Sequence, residues 1–520
     1  MKFTAAALLL LLAGNALAET EFHATNELSA TYNETAGPGK TASSLTRGLN
    51  FLETLNLYGN GAKGAWEYNY TAGAKATDDE RNDARKVSLT GLQGRATNKV
   101  HTITAGDVFE SFSQYSLATS LKGGSYRFSR EGTRLPEVTG VFGWAYPRWD
   151  AAWRDPRTRA VTRRAAGLRV KQEVTPDLWA AGSYVGAKDT GRINPADPLY
   201  DAKNYTFDFG YNPIPGLTAA GEYSASDYDE ASTGASERGS AARLELTGDA
   251  APSRVTLEYE NVEPDFLSPL GSASPDRRKV KARWRYKYSK RVTVTSGLLW
   301  YRNNLDGQLA GTTRNWKPEA AVAVKRPFAA RSYSFADLSY RFDRKYGGGS
   351  SGADHYLNAN YRDRFGGLDS DTNLGYTLYR TKTAVRDASE VTFNTALSSR
   401  HEAGAVVLKP AVNLGTWYSR DELADTADKL YEYSLGLGLE APAASLTADL
   451  RAGQNMLRKE AGEDSDKFFA ALSAYWRPKL MAGLNESTLF LRAGYNSYDF
   501  TTSANNFREK TVTVGLTTSF

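Results

Sequence analysis

The chain has 520 residues, 64 basic and 59 acidic side chains, no cysteine, and a mean hydropathy of −0.51. The missing cysteine excludes disulfides, thiolate metal sites and covalent haem attachment within the chain. No stretch of 18 apolar residues follows the N-terminus, which excludes helical membrane spans. A chain of this length would ordinarily divide into two or more soluble domains. Its composition is uniform throughout, however, with 30 Tyr, 46 Gly and only 3 Met, and it contains no linker tract.

Met1 to Ala18 reads as a secretory signal: Lys2 is the charged start, Ala5 to Ala13 the apolar run, and Ala16-Leu17-Ala18 the cleavage site. Without Lys2, the remaining chain carries 63 basic and 59 acidic side chains, or +4. Strands are then predicted over 22–33, 46–59, 62–76, 85–95, 98–105, 122–131 and 136–146, with Gly59-Asn60-Gly61 as a hairpin turn.

From about residue 164 one unit repeats: an alternating run, a tight turn, a second run, then a longer polar loop. Tight turns are marked by Pro or Gly, as at 174–176, 212–216, 251–252, 326–327, 441–442 and 477–478. Longer loops fall at 190–201, 228–237, 264–276, 303–313, 346–353, 420–428, 458–466 and 500–507. Nineteen strands fit between 164 and the C-terminus, making about 26 in all, with 24 as the alternative. In 331–343, Ala336, Leu338, Tyr340 and Phe342 share one face while Asp337, Ser339, Arg341 and Asp343 share the other. Alternation of this kind, broken by hairpins, predicts an all-β fold: one antiparallel up-and-down transmembrane β-barrel over 19–520, with both termini periplasmic. A soluble sandwich and a β-solenoid are the competing all-β readings.

The last strand carries Val512, Val514 and Leu516 on one face and ends on Phe520. Thr513, Gly515 and Phe520 fit the C-terminal signal read by the barrel-assembly machinery of a Gram-negative outer membrane, although Thr518 stands where an apolar residue is usual.

Two segments are candidates for function. In 277–288, Arg277, Lys279, Lys281, Arg283, Arg285 and Lys287 alternate with Val280, Ala282, Trp284 and Tyr286. A cation at the bilayer midplane costs about 2–4 kcal/mol on the lipid face, so the basic face is predicted to line the lumen. Glu258 and Glu260 on the preceding strand can face it. The ladder is then either a cross-strand salt-bridge wall or a track for anionic solutes. The second candidate is 105–163, which breaks the hairpin rhythm. Its first part, Gly106 to Leu117 leading to Leu121-Lys122-Gly123-Gly124, is read as a loop folded into the barrel, with an external loop as the alternative. Its basic end carries Arg148, Arg154, Arg157 and Arg159 with Trp149 and Trp153, suited to phosphate or sugar-acid groups, or to lipopolysaccharide at the cell surface. The four His residues form no metal spacing, and His355 beside Asp354 reads as a loop or strand-end pair. Nothing points to an enzyme, a resident cofactor or a nucleic-acid partner.

In overall pattern the chain resembles the large single-chain, porin-like outer-membrane channels. Its strand number and short turns are also similar to the barrels of porin–cytochrome conduits, which sheathe a multihaem cytochrome; it lacks the N-terminal Cys-x-x-Cys of several of those. The first resemblance implies passive passage of solutes, preferring anions if the ladder is a track. The second implies a barrel gripping a multihaem cytochrome or another protein in its lumen.

Overall fold

The computed structural model describes residues 20–519, apart from 131, 147, 153–160, 193–196, 349, 382–385 and 479–485. Within it the chain forms a closed ring of 26 antiparallel strands. Strand Asp387–Ser399 breaks at Arg400 and resumes as His401–Ala403; both pieces pair with Val406–Asp421 and count as one. The ring closes where Thr20–Ala36 pairs with Phe507–Ser519, from Thr25 opposite Ser519 to Ala36 opposite Arg508. Closure leaves no unpaired edge, the condition for a sheet to survive in lipid. No described helix is long and apolar enough to cross a membrane.

Side chains directly opposite on neighbouring strands share a face, so the apolar alternation propagates round the ring. The outer face carries Leu28, Phe207, Tyr223, Leu338, Leu435 and Val514, each about half exposed or more. The inner face carries most of the charge. An even strand number brings both chain ends to one rim, where most connections are two- to four-residue turns. The other rim carries most of the longer loops, including 109–120 and 263–276.

The first hairpin turn differs from the sequence expectation. Strand Gly48–Lys63 runs straight through Asn60 and Gly61, which pair with Asn69 and Tyr68, and the turn falls at Gly64-Ala65. Gly64 takes the positive φ of +64° that such a two-residue loop needs. Gly59 instead lies beneath the Tyr70 ring, where a Cβ would stand 2.3 Å from Tyr70 Cζ. Pairing along a full-length strand outweighs the local Asn-Gly preference.

His355 also departs from expectation. It lies within strand Ser350–Phe365 on the outer face, accepting or sharing a 2.8 Å hydrogen bond with the Tyr340 hydroxyl and packing on Phe342 at 4.8 Å. Asp354, one residue earlier, points to the other face, opposite Asp343. The two are not a pair. Residues 1–18, Arg154, Arg157, Arg159 and Phe520 lie outside the described residues.

Candidate functional site

The lumen is the site, and loop 109–120 enters it. Strand His101–Val108 ends at Val108, and the chain then crosses the barrel interior before resuming at Leu121. Glu110, at the start of the loop, pairs with Arg127 and accepts a 3.2 Å bond from Ser125, both on the inner wall. At mid-loop the Tyr115 N–H donates to Glu222 at 2.8 Å. Arg169 donates to the Phe112 carbonyl while holding Asp208 at 2.6 Å. Glu222, Asp208 and Arg169 all stand on the inner face, near the middle of their strands.

A second loop, 263–276, meets the first. Asn204 donates to Leu267 O at 2.9 Å, Ser226 accepts from Leu267 N at 3.1 Å, and Arg163 donates to Pro269 O at 3.0 Å. The loops are joined by Ala118 N to Leu270 O at 2.9 Å and Ser272 N to Gln114 O at 2.7 Å. Phe266 and Tyr115 pack edge to face at 5.8 Å, and both are almost fully buried. Phe112, Leu117 and Leu270 join Val141, Ala165 and Val185 of the wall in a second apolar cluster. This core explains how irregular backbone persists at membrane depth: its apolar side chains are covered, and wall side chains take up its polar groups. The two loops form a plug against nine consecutive strands, from His101–Val108 to Ser253–Val262. Among the described residues, no comparable buried cluster lies against the other strands.

The basic strand Arg277–Lys287 adjoins that plug, and its cations divide into two groups. Lys279 donates to Glu258 at 2.9 Å and to Glu260 at 2.7 Å, with Arg243 3.6 Å from Glu258 on the far side. Glu260 is buried, so this end is a structural salt-bridge network. Arg277 stacks over the Tyr301 ring at 4.9 Å. Lys281, Arg283, Arg285 and Lys287 are exposed and make no ion pair among the described residues. Of their strand neighbours, Thr256, Leu299, Gly297 and Thr295 carry no charge, and Glu258, directly opposite Lys281, is engaged by Lys279. The four cations form a column running from the level of the plug to the short-turn rim. Lumenal water can solvate them there; lipid could not.

Arg148 lies elsewhere. It is held at the long-loop rim by Asp83 at 2.9 Å and Asp150 at 3.0 Å, while Trp149 Nε1 donates to Asp107 at 3.0 Å. Asp107 pairs with Lys122 and lies opposite it; Lys122 in turn lies opposite Trp144, which faces outward. Arg148 is therefore an anchor of the 145–152 segment at the outer rim and does not line the pore. Burial works against the charge on Asp83, but bonds from Arg148, the Arg85 N–H and Ser88 outweigh it and hold the carboxyl at about 2.

The sequence reading missed the part played by 263–276, which looked like one more polar loop. Phe266, Leu267 and Leu270 within it were the available signal, because an external loop has little reason to carry three large apolar residues in five positions. Among the described residues, no His, Asp or Glu group could hold a metal ion.

No protein-family model and no curated protein matches the chain. Solved outer-membrane barrels align with it at low similarity. The transporter YddB from Escherichia coli aligns over 97% of this chain and 81% of its own, at 8% identity and a TM-score of 0.47. The ferric enterobactin receptor PfeA of Pseudomonas aeruginosa aligns over the same shares at 10% identity and a TM-score of 0.42. OpdL of Pseudomonas aeruginosa covers 70% of this chain and 99% of its own, at 13% identity and a TM-score of 0.36. These are likenesses of fold. The closed ring, with its apolar outer belt and charged interior, makes this chain an outer-membrane β-barrel.

Proposed function

We propose that the protein is an outer-membrane channel in which anionic solutes pass the plug along the cationic wall of Arg277–Lys287. The short-turn rim, which carries both chain ends, is placed in the periplasm, and the plug loops descend from the cell-surface side. The observation that carries this reading is the column Lys281, Arg283, Arg285 and Lys287, exposed to the lumen and in no ion pair among the described residues, Glu258 opposite Lys281 being engaged by Lys279. Uncompensated charge of one sign in a confined aqueous path raises the local concentration of counter-ions. The test is the reversal potential of the purified protein in planar bilayers under a KCl gradient. It should indicate anion preference, and K281Q/R283Q/R285Q should abolish it. An unchanged reversal potential in that variant overturns the proposal.

One observation favours a second reading, that of a sheath around another protein. Barrels of 16–18 strands already enclose aqueous channels, and 22-stranded barrels are plugged. Here 26 strands enclose a plug that covers only nine of them. A ring of 26 strands at about 4.8 Å spacing and about 40° tilt has a backbone circumference of about 160 Å. Among the described residues the plug's apolar clusters do not reach the other strands, which leaves wall for a lumenal partner such as a multihaem cytochrome. Gentle detergent extraction from native membranes separates the readings: a stoichiometric co-purifying protein, with haem absorbance if it is a cytochrome, supports the sheath, and recovery of the barrel alone supports the channel.

A further inference from the structure

Away from the plug, seven consecutive strands from Leu368–Thr381 to Thr488–Phe500 enclose a cleft of about 660 Å³ on the lumenal wall. Neither the plug nor the cationic column accounts for it. Its principal feature is one row of side chains in direct cross-strand register: Asn373, Asn394, Gly415, Glu432, Asn455 and Lys467. At about 4.8 Å per strand the row is about 24 Å long. The neighbouring row, Asn413, Ser434, Gly453, Phe469 and Asn496, forms its second edge.

The bonding state of the row separates it from ordinary lumenal wall. Apart from the cationic column, many inward polar groups engage one another, as Lys317 does Asp343 at 2.5 Å. Asn373 is likewise bonded to Asn358 at 2.6 Å, and Asn413 to Ser434 at 3.2 Å. Asn394, Glu432 and Asn455 make no side-chain hydrogen bond or ion pair among the described residues, and Lys467 touches only the Tyr498 ring at 5.3 Å. Four hydrogen-bonding groups thus converge, unused, on one concavity. Gly415, in the middle of the row, makes room for the polar ends of its neighbours: a Cβ there would stand 2.7 Å from Asn394 Oδ1 and 3.4 Å from Glu432 Oε2.

We infer that this cleft binds a neutral, linear oligosaccharide laid across the strands. An amide both donates and accepts, and so does a sugar hydroxyl, so amides spaced along a row can engage successive hydroxyls of an extended chain. Glu432 accepts from hydroxyls and Lys467 donates to them. Their charges cancel within the row, which therefore does not select for net charge as the Lys281–Lys287 column does. Concavity with a few convergent polar groups is the general form of a small-molecule site. The inference goes beyond the channel proposal and does not depend on anion preference.

The test is channel block in planar bilayers by maltopentaose, cellopentaose or xylopentaose, with tri-alanine as the zwitterionic comparison. Calorimetry on the detergent-solubilised barrel measures the same binding without requiring conduction. At least one pentasaccharide should bind. N394A/N455A should weaken that binding about tenfold or more, from two lost hydrogen bonds. K281Q/R283Q/R285Q should leave it unchanged. The near-isosteric E432Q, which cannot perturb the backbone register, should also weaken it, and this keeps the test decisive if the double variant assembles poorly. The inference is overturned if none of the three saccharides binds by either method. Binding that survives both N394A/N455A and E432Q overturns it too, as does tri-alanine binding as tightly with the same sensitivity, which would assign the cleft to peptides.

Discussion

Gly515 lies directly under the ring of Phe490. A Cβ at position 515 would stand 2.2 Å from Phe490 Cζ and 2.8 Å from the Leu28 carbonyl oxygen. The two residues are cross-strand partners on the inner face, beside the seam where the first and last strands close the ring. The central glycine of the C-terminal strand thus has a packing reason of its own: it accommodates an aromatic on the adjoining strand, as glycines in barrels commonly do.

The substitution G515V should therefore lower the stability of the closed barrel by about 1–3 kcal/mol, the usual cost of overpacking. It can be read as a lower temperature for loss of the compact band in heat-modifiability gels. F490A removes the clash with the ring at its own cost in lost packing, so the double variant G515V/F490A should lose less than the sum of the two single variants. Strict additivity would mean that Gly515 does not act through Phe490.

Lys279 and Lys281 are two residues apart on one face and should behave differently. K279M leaves buried Glu260 and half-covered Glu258 without their shared donor, at a cost of about 1–3 kcal/mol. K281M removes an exposed cation with no ion-pair partner and should leave stability nearly unchanged while shifting ion selectivity. Denaturation midpoints and reversal potentials on both variants check this; equal destabilisation would contradict the division of the ladder.

Tyr115 is fully buried where the two plug loops meet. Y115A should cost the plug about 3–5 kcal/mol, the usual loss for a large aromatic truncated in a core. The barrel itself is held by strand pairing and should remain closed. The expected result is new protease cleavage between 109 and 120, with increased open-channel current noise and an unchanged heat-modifiable band.

Asp83 sets a pH dependence at the outer rim. Its folded carboxyl titrates at about 2, below the ordinary 3.8, so it contributes stability that is fully present above about pH 4. That contribution fades as the pH falls towards 2, when protonation weakens its hold on Arg148. Proteolysis within 145–152 should therefore increase over that interval at constant barrel integrity. D83N should raise cleavage already at neutral pH and flatten its acid dependence. A wild-type acid profile in D83N would show that Asp83 is not the titrating group.

Much of the fold was legible because a barrel strand writes its environment into every second residue. Leu338 and Tyr340 face lipid and Asp337 and Ser339 face water, so a period of two in the chain is a statement about two solvents. Cations repeated at 279, 281, 283 and 285 could only be lumenal, for the same reason. Local preference was a poorer guide where pairing competed with it, as at Asn60-Gly61. His355 and Asp354 were adjacent in sequence but were separated by the thickness of the sheet.

The sequence by itself determined the compartment and the inward face of the basic strand and narrowed the strand number to 26 or 24, because each follows from local alternation and from the cost of charge in lipid. Only the tertiary structure decided which groups meet. Glu258 stands opposite Lys281 in register, but its carboxylate joins Glu260 on Lys279, so Lys281 is left without an ion pair. Tyr115 reaches Phe266 across 151 residues of chain because two loops enter the same lumen. Asn394, Glu432 and Asn455 share a row because successive hairpins set them at the same height. Register and loop docking are properties of the closed ring, in which every strand's position depends on its neighbours, and no local pattern in the chain encodes them.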